Sequence, residues 1–495
     1  MGATLGYVNV ITKNVVNLIY TPILIRMLGQ GDYGVFQMTN SVVMALSVLS
    51  MGFDSAYVRF YSQRKAKHQE SEIRKLNGMY LTIFMVMAVL CLICGLVLFA
   101  NVNLLFSKGL NAHERGLAKT LIGILIFNVA ITFPGTVFDS YIMVHEQFIF
   151  QQTRQLFTTL AVPVLAVSGL FLGFGAVGVA LAQAIMTTIL LILNINYACR
   201  KLGMKFDFHS FDVPLFKSIA IFSFWIFLNQ LFDMVNNNVP NFLLGAMASA
   251  KVVAVFSVAI QIRNIFFMMS TTMSNVFIPK INNMVVTKDD NEDLTHLMTK
   301  VGRYQMILFC LLYGGFVLVG RYFIRVWAGP SFDDAYWMIL IMTLPVMIPL
   351  TQNTGIEIQR AKNKHKVRSC IYILTSVIDV VISVVLIPKY GYWATTWGYV
   401  VSIVLGTGLF MNWYYQFRIG LNMVYFWKKM LPSMGVGIAT LSICELFAHL
   451  TRLSGLTGFL VNGFLYVFIY VVAIWLFIMT SQEKSKLLRK HEMKA

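Results

Sequence analysis

Residues 77–104, NGMYLTIFMVMAVLCLICGLVLFANVNL, run for twenty-eight positions without one charged side chain. A stretch of about 20 apolar residues is long enough to cross a bilayer as a helix. About fourteen such windows recur along the 495 residues, from 4–26 and 34–58 to 430–450 and 456–479. The alternation of short strands that a barrel needs is absent, and only helices or closed barrels satisfy the backbone in lipid. The sequence therefore predicts an all-α integral membrane protein. Hydrophobic residues at 58% and charged residues at 12% agree, since soluble domains are far more polar.

The chain also repeats itself. Gly34-Val35-Phe36 and Ala254-Val255-Phe256 each stand near the start of a span. Pro134 and Pro349 each interrupt one, and each is followed by a polar loop reaching Arg154 or Arg368. Gly175-Ala176-Val177-Gly178 and Gly391-Tyr392-Trp393-Ala394 each open another. The four matches keep one order at an offset of about 216 residues, a pattern of transporters built from two structural repeats around a central site. The expected organisation is a six-helix lobe over 1–199, a linker at 200–214 and a second six-helix lobe over 215–429. A helix pair at 430–480, without counterpart in the repeat, and a basic tail at 481–495 complete it.

The net charge of +18 has a topological origin. Lys and Arg gather at Arg59–Lys75, Arg360–Arg368 and Lys484–Lys494. With both termini in the cytoplasm, these clusters all fall on the inner side, as the positive-inside rule demands. Nucleic acid is excluded as a partner on that ground, while anionic membrane lipids remain natural contacts. The six cysteines lie in or beside spans, and Cys91 and Cys94 serve as small apolar residues of one helix. The acidic stretch within Pro279–Lys300 is expected to be a solvated connector. There is no phosphate-binding G-x-x-x-x-G-K-[ST], no H-E-x-x-H, no clustered metal-ligand pattern and no catalytic constellation. A transporter without metal or cofactor is expected, not an enzyme.

Ionisable and amide side chains within spans mark a pathway or a buried pair. In the seventh window Asn229, Asp233, Asn237 and Asn241 recur every four residues, so they share one face. That stripe either lines water or joins helices by hydrogen bonds. The first window carries Lys13, Asn14 and Asn17, and the repeat maps Lys13 onto Asp233 and Asn17 onto Asn237. Lys13 and Asp233 either neutralise one another, or Lys13 meets an anionic substrate while Asp233 holds a coupling cation. Arg263, with Gln261 and Asn264 beside it, suits a phosphate through its planar fork; pairing with Asp379 is the alternative. Asp379, mid-span, is a second ion or proton candidate. Arg26, Asp54, Arg59, Asp139 and Glu357 lie toward helix ends as gating or interfacial groups.

Two further stretches carry a resemblance. Leu28-Gly29-Gln30-Gly31-Asp32-Tyr33-Gly34-Val35-Phe36, after a span ending in Leu24-Ile25-Arg26, resembles the first-loop signature of polysaccharide flippases. Leu386-Ile387-Pro388-Lys389-Tyr390-Gly391 with Trp393-Ala394 resembles their eleventh-to-twelfth-span junction, although Thr395-Thr396 stand where smaller residues are commoner. The resemblance spans the whole chain. It implies the Wzx-type branch of the multidrug/oligosaccharidyl-lipid/polysaccharide exporter superfamily, and so a flippase of the bacterial plasma membrane. The implied cargo is an undecaprenyl-pyrophosphate-linked oligosaccharide for O-antigen, capsule or exopolysaccharide, moved by alternating access with an ion gradient. A polymerase and glycosyltransferases of the same pathway are the implied partners, and the last helix pair would offer a groove for the polyprenyl tail. A cation-coupled multidrug antiporter and a lipid II flippase are the alternatives within the superfamily. A membrane-embedded polymerase or ligase would carry a large outer loop, which this chain lacks.

Overall fold

The computed structural model describes residues 2–50, 52–209, 212–287, 290–362, 364 and 366–485. Among them the regular structure is helical throughout. In chain order the helices are α1 Gly2–Leu46, α2 Phe53–Ala66, α3 Glu70–Ala100, α4 Val102–Leu105, α5 Ala112–Val144 and α6 Phe148–Phe171. Next come α7 Gly175–Asn196, α8 Val213–Met247, α9 Ala250–Asn275, α10 Ile278–Thr287, α11 Asn291–Trp327 and α12 Asp333–Thr351. The series closes with α13 Asn353–Ala361, α14 Lys366–Tyr390, α15 Tyr392–Ile403, α16 Met411–Tyr414, α17 Met423–Thr451 and α18 Gly455–Ala473.

Twelve helical stretches among the described residues are long and apolar enough to cross a membrane. The first of these, Val8–Ala66, holds two arms that meet at Gly29, where φ of +75° breaks the helix. Counting both arms and adding α8, thirty-five residues long, restores the expected fourteen. The second expected window, 34–58, is not one smooth helix. It ends at Leu46, passes a short 3₁₀ turn at Ser47–Ser50 and resumes after Gly52, whose φ is +89°.

The duplicated punctuation has a conformational basis. Gly175 and Gly391 both adopt φ of +54° where they open α7 and α15, a backbone region that costs only glycine nothing. Pro134 and Pro349 lie inside α5 and α12. Among the described residues, both polar connectors make fixed contacts. Asp290 accepts a hydrogen bond from the Glu292 amide (2.9 Å) and caps α11, with Glu292 and Asp293 in its first turn. The acidic run expected to be a solvated connector is thus largely a helix start, because carboxylates stabilise the positive amino end. Preceding it, α10 occupies Ile278–Thr287 and buries Ile281. In the 200–214 linker, the Asp207 amide donates to the Arg74 carbonyl (3.0 Å), and Asp212 caps α8 through the Leu215 amide (2.9 Å).

The chain divides into two compact units, Met1–Ser257 with Ser383–Tyr392, and Val258–Ile382 with Trp393–Ala495. In the first unit α8 and the start of α9 pack with the amino-terminal helices, beyond the boundary that the repeat suggests. Small residues permit this. A Cβ at Gly34 would lie 1.8 Å from the Ala250 carbonyl oxygen, and one at Gly109 would lie 2.0 Å from that of Gly245. Backbones brought so close gain dispersion that lipid cannot supply. In the second unit, α18 is fixed to α11 by tyrosines. Tyr466 donates to the Cys310 carbonyl (2.7 Å) and Tyr470 to that of Ile307 (2.8 Å), while Gly314 leaves room for the Tyr466 hydroxyl.

The glycine contacts set a paired expectation. Gly34→Ala should lower the thermal unfolding midpoint of the detergent-solubilised protein by the equivalent of about 3 kcal/mol or more, since overpacking against backbone cannot relax. Gly116→Ala, with nothing within 4 Å of its Cβ, should leave the midpoint unchanged or raise it.

Candidate functional site

The described side chains of the α8 stripe divide between buried and half-buried. Asn241 is buried at 6% exposure; its Nδ2 donates to Ser41 Oγ (3.0 Å), and its Oδ1 accepts from Ser257 Oγ (3.2 Å). One amide thereby bridges α1 and α9, the interhelical reading of this position. Asn236 is also buried, Asn237 is half-buried, and Asn238 donates back to the Met234 carbonyl. The side chains of Asn229 and Asp233 lie outside the described ones, so the Lys13–Asp233 pairing has no geometry here. On α1, Lys13 and Asn17 are exposed on one face, and Asn14 between them bonds the Val10 carbonyl.

The second unit holds two buried ionisable side chains, on separate helices. Arg263, in α9, is only 2% exposed. Its guanidinium carbon sits 4.3 Å from the ring centroid of Tyr399 on α15, and its Nη2 donates to Asn264 Oδ1 at 3.1 Å. A desolvated cation over an aromatic face gains about 2 kcal/mol, and a charge-assisted hydrogen bond adds a similar amount. Asp379 on α14 is 3% exposed, among buried Tyr372, Thr375 and Ser376 of the same helix face. On α15, Thr395, Thr396 and Ser402 are buried as well. This hydroxyl lining was missed in the sequence, although its spacing on α14 (372, 375, 376, 379) is a helical stripe that periodicity could have found. Tyr399 carried no signal, because aromatic residues are common in every span. Gln261 is half-buried and Asn264 exposed.

The groups expected at helix ends meet neighbours of their own unit. Arg154 on α6 donates to Asp139 (2.6 Å) and also to Asn194, tying α5, α6 and α7 together. Arg59 stacks on Phe222 at 4.7 Å, Glu357 pairs with Arg360 at 2.8 Å, Asp54 sits exposed in the first turn of α2, and Arg26 is exposed. An unforeseen contact holds the segment after α18. Glu483 takes the Tyr304 hydroxyl (2.6 Å), both donors of Thr480 (2.9 Å each) and the Arg303 guanidinium. Burial pulls its carboxyl up, but these donors and the Arg303 charge outweigh it and hold the pKa down at about 2. Among the described residues no cluster of His, Cys, Asp or Glu is arranged to hold a metal ion.

A sequence model described as polysaccharide biosynthesis protein matches residues 3–285. Over 488 residues the chain is 25% identical to the uncharacterized membrane protein EpsK of Bacillus subtilis (strain 168), covering 95% of this chain and 93% of the relative. A structure of the lipid II flippase MurJ in an inward-closed conformation superposes with a TM-score of 0.76 at 14% identity, over 94% of this chain and 97% of that one. A multidrug-resistance MATE-family transporter of the MOP superfamily, inward-facing, gives 0.64 at 14% identity, over 82% and 94%. At such identities the two structures speak for the fold.

The Glu483 contact can be tested separately. A carboxylate whose pKa is depressed below the ordinary value of 4.5 stabilises above that value, and its contribution vanishes as pH falls through about 2. Hydrogen exchange corrected for intrinsic rates should therefore show Thr480–Glu483 protected at pH 5 and progressively released toward pH 2. Glu483→Gln should lose that protection, about tenfold, already at neutral pH.

Proposed function

We propose that this chain, which belongs to the polysaccharide biosynthesis protein family, is a flippase for lipid-linked oligosaccharides. Its cargo would be an undecaprenyl-pyrophosphate-linked repeat unit, carried from the inner to the outer leaflet of a bacterial plasma membrane during surface polysaccharide assembly. Both termini would face the cytoplasm, in keeping with the basic clusters that the positive-inside rule places there.

One observation carries the reading: a guanidinium sits 2% exposed in the middle of an apolar span. A buried charge in such a place is costly unless function retains it. The fork of Arg263 matches the two oxygens of a phosphate, and stacking on Tyr399 fixes its plane. Binding energy here would go to a pyrophosphate headgroup; in the first unit, the half-buried amides of α8 and the exposed Lys13 and Asn17 of α1 are separate candidates for polar contacts to cargo. Asn241, already committed to Ser41 and Ser257, would hold helices in register. The apolar groove of about 610 Å³ between α17 and α18, lined by Pro432, Ile443, Phe468 and Leu476, suits a polyprenyl tail. Asp379, buried and ionisable, is the candidate for coupling transport to a cation gradient, with Asp233 as the second.

Replacing Arg263 with Ala or Gln should reduce export of the lipid-linked unit at least tenfold, with the protein still present in the membrane at wild-type level. Arg263→Lys should restore only part of it, because an ammonium keeps the charge and loses the fork. The measurement is surface glycan against membrane-protein level; wild-type glycan in Arg263→Ala would refute the phosphate role.

A further inference from the structure

At the amino end of α3, in the first unit, the helix ends and the linker enclose a pocket of about 550 Å³. Its floor is polar, buried and already fixed in shape. Asn77 donates to the Lys205 carbonyl (2.9 Å) and accepts from the Tyr57 hydroxyl (2.6 Å). His145 Nδ1 lies 2.8 Å from the Tyr141 carbonyl, which only accepts, so Nδ1 carries the hydrogen. In the neutral ring Nε2 is then an acceptor, and the Tyr61 hydroxyl donates to it at 3.3 Å. Burial, together with the charge of Lys65, depresses the His145 pKa and favours that neutral form.

The rim has the opposite character. Lys65 from α2, Arg74 from α3 and Lys205 from the linker surround the opening; Glu70 is the carboxylate in its lining, and Glu72 in the same turn of α3 is paired with Lys75 (2.9 Å). All three cations are exposed, and among the described residues no ion pair engages them. The first turn of α3 opens at the same place, and Gln69 provides no side-chain cap for its N–H groups. The carboxyl end of α2 also reaches the pocket. Its last carbonyls accept from the Lys67, His68 and Gln69 amides, so it offsets little of the positive field. Three cations, a helix amino terminus and a preformed cavity in the usual size range for ligands define an anion site. The Arg fork beside two ammonium groups favours the several oxygens of a phosphate over a single carboxylate. Since α3 is about 46 Å long against a hydrocarbon thickness of about 30 Å, its amino end reaches the headgroup and water layer.

We propose that this pocket binds a phosphate group, presented by a soluble phosphate ester or by the headgroup of an anionic lipid. Arg263 is not among its lining residues, so the site stands or falls independently of the flippase reading. The test uses the full chain with Lys65, Arg74 and Lys205 all changed to Gln, and a second chain bearing Lys65→Arg, Arg74→Lys and Lys205→Arg. In phosphatidylcholine nanodiscs, calorimetric titration with inorganic pyrophosphate reads the soluble source. In detergent, native mass spectrometry with phosphatidylglycerol reads the lipid source. In at least one arm the Gln variant should bind at least tenfold more weakly, while the charge-conserving variant binds as the wild type does. Equal binding by the wild type and the Gln variant in both arms would overturn the proposal, as would loss in the charge-conserving variant equal to that in the Gln variant.

Discussion

Hydrocarbon offers no hydrogen-bond partner, so every backbone amide crossing it must be satisfied within its own helix. Most features of this chain follow from that constraint. Hydroxyls inside spans turn back on their own helix: Thr39 to Val35, Thr158 to Arg154, Thr188 to Ala184, Thr407 to Ile403 and Thr440 to Val436. The phenols of Tyr466 and Tyr470 instead find carbonyls of α11 and anchor the last long helix, α18, in doing so. Several chain reversals use a glycine at positive φ, as at Gly173, Gly391 and Gly420, whereas His68, Glu146 and Arg452 adopt positive φ at three others. Among the polar groups not settled locally, Asn241 acquires a role between helices.

The same constraint explains how much of the fold was legible in the sequence. Apolar runs set the spans, and the requirement for glycine at Gly175 and Gly391 made the repeat visible as a recurring letter. Where water is available the constraint relaxes, and there the reading failed. The acidic stretch before α11 looks like a solvated loop by composition, yet its carboxylates suit a helix amino end equally well. The break at Ser47–Gly52 was also hidden, because an apolar run continues across it and only its packing shows where it bends. Likewise the grouping of α8 with the amino-terminal helices rests on close approaches at Gly34 and Gly109, which no periodicity reports.

The site was legible in kind and less so in detail. An arginine and an aspartate within spans are conspicuous in any sequence, and both are buried. Their surroundings are tertiary. Asn241 looked like any member of its stripe until Ser41, 200 positions earlier, turned out to meet it. Tyr399 became meaningful only by lying over Arg263. The Glu483 contact escaped because its partners, Arg303 and Tyr304, are about 180 residues away.

The stack of Arg263 on Tyr399 has a consequence for how a charged cargo would be handled. A guanidinium is flat; its N–H donors lie in the plane, whereas the aromatic ring occupies its face. Stacking and hydrogen bonding therefore use different directions and do not compete. A ring on the face remains in place whichever anion meets the edge. Tyr399 thus fixes the plane of the guanidinium from its face while the in-plane donors stay directed at other partners, Asn264 among them, and under the proposed flippase reading an anionic cargo would meet that edge.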